Sequence, residues 1–259
     1  MALSDCFLGV HSVAGIFLFF HDIQKKGIEV NAPVRRYFAD LLTLGNLVSG
    51  CLSLGFLLEG AAEASMLLIL LAVFLDGFDG YVARKFGSAG EFGKNLDSFA
   101  DLISFGLAPA CLVFSFHNLV PVVCVMYVVS AAWRLARYNV GKTSDAVRSF
   151  AGLPTTMSGG ALASFALLVH RRGWEAGSVS LIFLAAVMSL LMISSIAYPN
   201  LRGIRKIFIE RKILVASLWG TLLAVTFLLR ADGAALGGFL TGLFMVYVLF
   251  FPLLKKNFV

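Results

Sequence analysis

Four aspartates, Asp76, Asp79, Asp97 and Asp101, stand within 26 residues of an otherwise apolar chain, with Arg84 between them. Carboxylates are costly near lipid unless they face a polar cavity, a cation or an opposite charge. On a helix, residues three and four apart share a face. Asp76, Asp79, Gly80, Ala83 and Arg84 therefore form one stripe, and Gly93, Asp97 and Asp101 a second. Gly87, Ser88 and Gly90 lie in the short link between them and permit a sharp reversal. The two stripes are predicted to face each other, with Gly80, Ala83 and Gly93 letting a backbone or ligand come close. Four facing carboxylates repel unless protons or cations compensate. One or two hard divalent cations, Mg²⁺ or Mn²⁺, suit oxygen ligands that also hold substrate phosphates. Such ions clamp a pyrophosphate and polarise phosphorus, and Arg84 is placed to take phosphate oxygens. The pattern points to chemistry on a phosphate.

The elements that must position these residues are membrane helices. Of the 259 residues 59% are hydrophobic, and the mean hydropathy is +0.89; soluble domains are typically about 45–50% apolar. The apolar runs are continuous and approach the roughly 20 residues that cross a bilayer, which argues against an alternating transmembrane β-barrel. The expected fold class is an all-α polytopic membrane protein with about eight spans. They fall near 41–58, 64–84, 97–116, 119–139, 157–170, 178–196, 213–230 and 234–254, the fifth being short for a span. Residues 6–20 read as an interfacial segment, and 25–40 as a basic stretch on the headgroups. The expected organisation is an N-terminal segment over 1–40, a transmembrane core over 41–205 that carries the aspartates, and accessory helices over 206–259.

The net charge is +6, with basic residues at the ends of apolar runs. This reads as orientation and contact with anionic lipid rather than with nucleic acid. If the span at 41 starts in the cytoplasm, all 21 lysines and arginines except Arg171, Arg172 and Arg230 are cytoplasmic. Both termini and the aspartates then face the cytoplasm. Cys6, Cys51, Cys111 and Cys124 have no short-spaced pair and read as buried small hydrophobes. His11, His21, His117 and His170 stand apart from the aspartates and are assigned no catalytic part. Trp174 and Tyr198 read as interfacial anchors.

The string D-x2-D-G-x2-A-R-x8-G-x3-D-x3-D has eight fixed positions and resembles, without a departure, the signature of the CDP-alcohol phosphotransferase family. That resemblance implies an integral membrane enzyme in which a hydroxyl attacks a CDP-linked lipid or alcohol and CMP is released. It implies a six-helix core, usually dimeric, with a cytoplasmic-facing site. The expectation here is a homodimer in the plasma (inner) membrane, with two C-terminal spans added to the core. By carry-over, Asp76, Asp79, Asp97 and Asp101 look like the metal site. Asp101 looks like the general base, and Gly80 and Arg84 resemble CDP-contacting positions.

Further strings resemble the integral-membrane phosphatidylserine synthase branch of the family. They are Ser104-Phe105-Gly106 and Pro109 after the fourth aspartate, Arg134 to Asn139, Phe150 to Pro154, and Tyr198-Pro199-Asn200. Thr43 to Asn46 resembles the same branch. Phosphatidylglycerophosphate synthases typically have proline and lysine where this chain has Ser98 and Leu102. Thr155-Thr156 departs from the branch pattern, which often has another proline after Pro154. The resemblance covers roughly residues 36–205 and implies CDP-diacylglycerol and L-serine as substrates.

Arg134 and Arg137 stand three apart at the cytoplasmic end of a span, where a guanidinium suits a carboxylate or phosphate. One of them is expected to hold the serine carboxylate, with Asn139 nearby. The alternative is that they snorkel to headgroups. Thr43 and Asn46 are expected to bond the cytidine or its ribose; a helix-start cap for Thr43 and an interhelical hydrogen bond for Asn46 are the alternatives. Two other functions stay open at this point. One is the same chemistry with glycerol phosphate, inositol or inositol phosphate. The other is a divalent-cation transporter, for which paired inverted repeats would be expected; the chain has a single aspartate motif.

Overall fold

The computed structural model describes residues 32–86, 91–116, 121–140, 149–174, 177–199 and 233–250, with positions 32–39, 80–86, 91, 140, 149–151, 178, 197, 199, 233–236 and 249–250 described as backbone only. Helix α1 (Ala32–Leu58) is followed by α2 (Ala62–Phe86). Next comes one long helix in three parts: α3 (Glu91–Asp101), a π-helical segment (Leu102–Leu107) and α4 (Ala108–Phe116). Then follow α5 (Pro121–Val140), α6 (Thr155–Arg172), α7 (Gly177–Ile193) and α8 (Gly233–Phe250). The described residues are helical apart from short connections and strands β1 (Ser149–Ala151) and β2 (Ala197–Pro199), which pair antiparallel with Phe150 opposite Tyr198.

Seven of the eight expected spans coincide with described helices; the span at 213–230 lies outside the described residues, as do residues 6–20. Among the described residues, 40–58 and 92–116 are long and apolar enough to cross a membrane by length and composition. Residues 32–40, read as part of a headgroup stretch, are the first turns of α1.

The fifth expected span is the central helix. Helix α6 touches α2, α5, α7, α8, α4 and the π-helical segment. Beside Leu162, Leu167 and Val169, its buried residues include many small or polar ones: Ser158, Gly159, Gly160, Ala161, Ala163 and Ser164. That composition lowers its hydropathy because the helix faces protein, where small residues allow close approach. A Cβ on Gly160 would stand 2.4 Å from the Phe244 ring of α8, and one on Gly237 of α8 would stand 2.9 Å from the Leu168 backbone of α6.

At one end of the bundle, Arg171 of α6 pairs with Glu63 of α2. There α6 stops at Gly173, whose φ of +59° is the left-handed conformation common just past a helix end. His170 sits against Phe116 at this end, with ring centroids 6.4 Å apart. Asp76 is fourteen residues along α2 from Ala62, which puts it ~21 Å away at 1.5 Å per residue. The aspartates therefore occupy the opposite end. Two sequence expectations need correction. Tyr198 is fully buried and stacks on Tyr247 at 5.9 Å, so it is not an interfacial anchor. Cys51 is exposed on the outer face of α1 beside Leu52, a face that no helix covers among the described residues.

Candidate metal and catalytic centre

Asp76 on α2 and Asp97 and Asp101 on α3 converge. Each offers a carboxylate oxygen, and these oxygens lie within 4.8 Å of one another. The two predicted stripes thus do face each other. Asp79, one turn beyond Asp76, is outside that group and accepts a hydrogen bond from Thr43 of α1. Asn46, also on α1, donates from Nδ2 to Asp101 Oδ1 at 3.4 Å. Thr43 and Asn46, expected at the nucleotide, are therefore engaged with the aspartates. The backbone of α2 carries Gly80 and Arg84 beyond Asp79; their side chains lie outside the described residues.

Asp101 is held where the helix changes type. The Ala108 N–H bonds to Ile103 O, five residues back, as the π-helical ladder requires. Short π-helical insertions are frequent at functional sites because they rotate the side chains that follow. This one is gripped on several sides. Ser104 Oγ donates to Asn46 O at 2.9 Å, Tyr127 donates to Phe105 O at 3.1 Å, and the Tyr127 and Ser158 hydroxyls lie 2.9 Å apart. Gly50 and Gly159 have no side chain where Ser104 and Phe105 press against them.

The arginines behave differently from each other. Arg134 is buried with 7% exposure and donates to Thr155 Oγ1 at 2.9 Å. It lies 5.8 Å from the Tyr138 ring and within electrostatic reach of Asp101 and Asp76. A buried guanidinium is tolerated when carboxylates and hydrogen bonds compensate it. Arg137 instead donates to the carbonyls of Met192, Ile193 and Ser194 at 3.1–3.3 Å, where α7 ends. It caps orphan helix carbonyls. Asn139 donates to Ser98 Oγ at 2.9 Å, next to Asp97.

The residues present fit a divalent cation. Three convergent carboxylates make an all-oxygen donor set, which suits a hard metal. Asn46 Oδ1 is buried with no hydrogen-bond partner among the described residues, a polar atom that a ligand at the cluster would satisfy.

A family model described as CDP-alcohol phosphatidyltransferase matches residues 36–196. The chain belongs to that family. Enzymes of this family are membrane-associated and generally depend on a divalent metal. The chain is 39% identical over 170 residues to an archaetidylserine synthase of Methanothermobacter thermautotrophicus, covering 63% of this chain and 70% of the relative. It is 36% identical over 173 residues to a CDP-diacylglycerol–serine O-phosphatidyltransferase of Methanocaldococcus jannaschii, covering 66% and 77%. A Bacillus subtilis protein of the same name is 30% identical over 171 residues, 64% of this chain and 92% of that one. Helix α8 lies beyond the part of the chain that the family model matches.

Sequence reasoning missed the threonine pair. Thr155 meets Arg134, and Thr156 Oγ1 donates to Asp76 Oδ2 at 2.9 Å. The available signal was Pro154: proline just before a periodic segment marks a helix start, and this start falls at the aspartate end of the bundle.

Proposed function

We infer that the chain transfers a phosphatidyl group from CDP-diacylglycerol to the hydroxyl of L-serine, giving phosphatidylserine and CMP. The observation that carries the phosphotransfer reading is the meeting of Asp76, Asp97 and Asp101 beside a buried arginine. Serine as acceptor is supported by the names of the relatives, which share it.

Asp101 takes the proton from the serine hydroxyl as its oxygen attacks, since the free hydroxyl is too weak an acid to ionise near neutrality. A bond forms to the phosphorus that carries diacylglycerol, and the bond from that phosphorus to the CMP oxygen breaks. Asp76, Asp97 and Asp101, with Asp79 adjoining, hold a divalent cation, Mg²⁺ or Mn²⁺. When bound, that ion supplies positive charge to the diphosphate and the departing CMP. Gly80 and Arg84 continue the α2 stripe toward the nucleotide phosphates. Arg134 holds the serine carboxylate, and Asn139 orders the neighbouring Ser98. The site faces the cytoplasm of the plasma membrane, on the side favoured by the basic residues, and the enzyme works as a homodimer.

The assay is CMP release from CDP-diacylglycerol in detergent with Mn²⁺ or Mg²⁺. Release that requires serine is the expected result. Release driven by glycerol phosphate or inositol but not serine would overturn the acceptor. No release with any alcohol, together with metal flux in liposomes, would favour a transporter.

Arg134→Lys is expected to raise the apparent KM for serine by about 10–100-fold, the loss of a charged hydrogen bond of ~1.5–3 kcal/mol, while the KM for CDP-diacylglycerol changes little. An unchanged serine KM would remove the carboxylate role.

A further inference from the structure

We propose that Thr156 is a positioning residue for the cation site: its hydroxyl orients the Asp76 carboxylate, and it thereby sets the affinity for the divalent ion. This rests on the reading of Asp76, Asp97 and Asp101 as metal ligands. Thr156 Oγ1 reaches Asp76 Oδ2 at 2.9 Å across 80 residues of sequence. A carboxylate turns freely about its last bond until one oxygen is held. A hydroxyl on Oδ2 fixes the carboxylate plane and lowers the entropic cost of presenting it to an ion. Partners behind metal-ligating groups typically carry about 10–100-fold in affinity.

The hydroxyl has a rigid mounting that does not depend on Thr156 itself. Pro154 precedes α6 with extended geometry, φ −59° and ψ 136°. Gly152 N–H bonds to Ile196 O at 2.8 Å and Leu153 N–H to Leu191 O at 3.1 Å, anchoring the start of α6 to the end of α7. Gly152 itself has φ of +84°, and a Cβ there would stand 2.3 Å from Met192 O. Within α6, Gly159 lies against Phe105 of the π-helical segment, where a Cβ would stand 3.0 Å from the Phe105 Cα. Removing the Thr156 hydroxyl therefore leaves the helix start in place and takes from Asp76 only the hydrogen bond on Oδ2. The preceding residue gives the arrangement a second consequence. Thr155 accepts from Arg134 at 2.9 Å, so consecutive residues fix the cation side and the arginine side relative to each other.

The test compares Thr156→Val, which keeps the shape without the hydroxyl, with Thr156→Ser, which keeps the hydroxyl without the methyl. Mn²⁺ binding to the full-length protein in detergent, without substrate, is followed by the electron paramagnetic resonance signal of free Mn²⁺. Thr156→Val is expected to weaken Mn²⁺ binding by about 10–100-fold, and Thr156→Ser to stay within about threefold of the parent. The Mn²⁺ concentration for half-maximal CMP release should rise in parallel, while kcat at saturating Mn²⁺ stays close to the parent. Thr156→Val binding Mn²⁺ as the parent does, or Thr156→Ser weakened as much as Thr156→Val, would overturn the proposal while leaving the metal site intact. A parent protein that binds no Mn²⁺ would overturn both.

Discussion

Asp101→Asn should lower turnover by about 10²–10⁴-fold, the usual contribution of a positioned general base, and saturating Mn²⁺ should not restore it. Asparagine has nearly the same shape and can still offer an oxygen to a cation, but it cannot accept a proton at neutral pH. Asp101 suits the base role by position. It is the most buried of the three clustered aspartates, and it sits where α3 passes into the π-helical segment. The Asn46 amide reaches its Oδ1, and Arg134 lies within electrostatic reach. The informative contrast is Asp97→Asn on the same face of α3. A residue that acts only as a ligand should show a raised requirement for Mn²⁺ with a rate recovered in large part at saturation. Binding of CDP-diacylglycerol, measured by displacement of a labelled analogue, should survive in Asp101→Asn. A near-normal rate for that variant at saturating Mn²⁺ would assign Asp101 to the ligand set alone.

The helical period made half of this centre legible. Spacings of three and four put Asp76 and Asp79 on one stripe and Asp97 and Asp101 on another, and the fold brings Asp76, Asp97 and Asp101 together. Arg134 was legible because a charge at a span end needs a partner. The remainder depends on packing between distant segments, which no local pattern encodes. Arg137 looks like Arg134 in the sequence, yet three residues further along α5 it meets the end of α7. Asn46 read as a nucleotide contact or an interhelical hydrogen bond, and its bond to Asp101 emerges only because α1 crosses the bundle there. Helix α6 read as a marginal span because hydropathy measures preference for lipid, and its buried face packs against other helices instead. The strings around Phe150 and Tyr198 stood out separately; their pairing as β1 and β2 required the fold.

The π-helical segment was least visible of all, since a one-residue change in the hydrogen-bond ladder leaves hydrophobic periodicity almost unaltered. Its packing generates the second large expected effect. A Cβ on Gly50 of α1 would stand 2.3 Å from Ser104 Oγ and 2.9 Å from the Ser104 Cα. Rotating the serine relieves the first contact but not the second, so α1 and the π-helical segment must separate. Separation also breaks the bond from Ser104 to Asn46 O, on the residue whose amide reaches Asp101. Gly50→Ala should therefore cost about 1–3 kcal/mol in stability, as overpacking typically does, and lower kcat at saturating Mn²⁺ and substrate. Gly55 provides the control on the same helix, because nothing among the described residues lies within 4 Å of a Cβ there. Gly55→Ala should stabilise by up to ~1 kcal/mol through helix propensity and leave activity unchanged. Thermal unfolding in detergent and CMP release separate the two variants. A Gly50→Ala protein with the melting temperature and kcat of Gly55→Ala would show that α1 does not press on the π-helical segment, and that Asp101 is positioned without it.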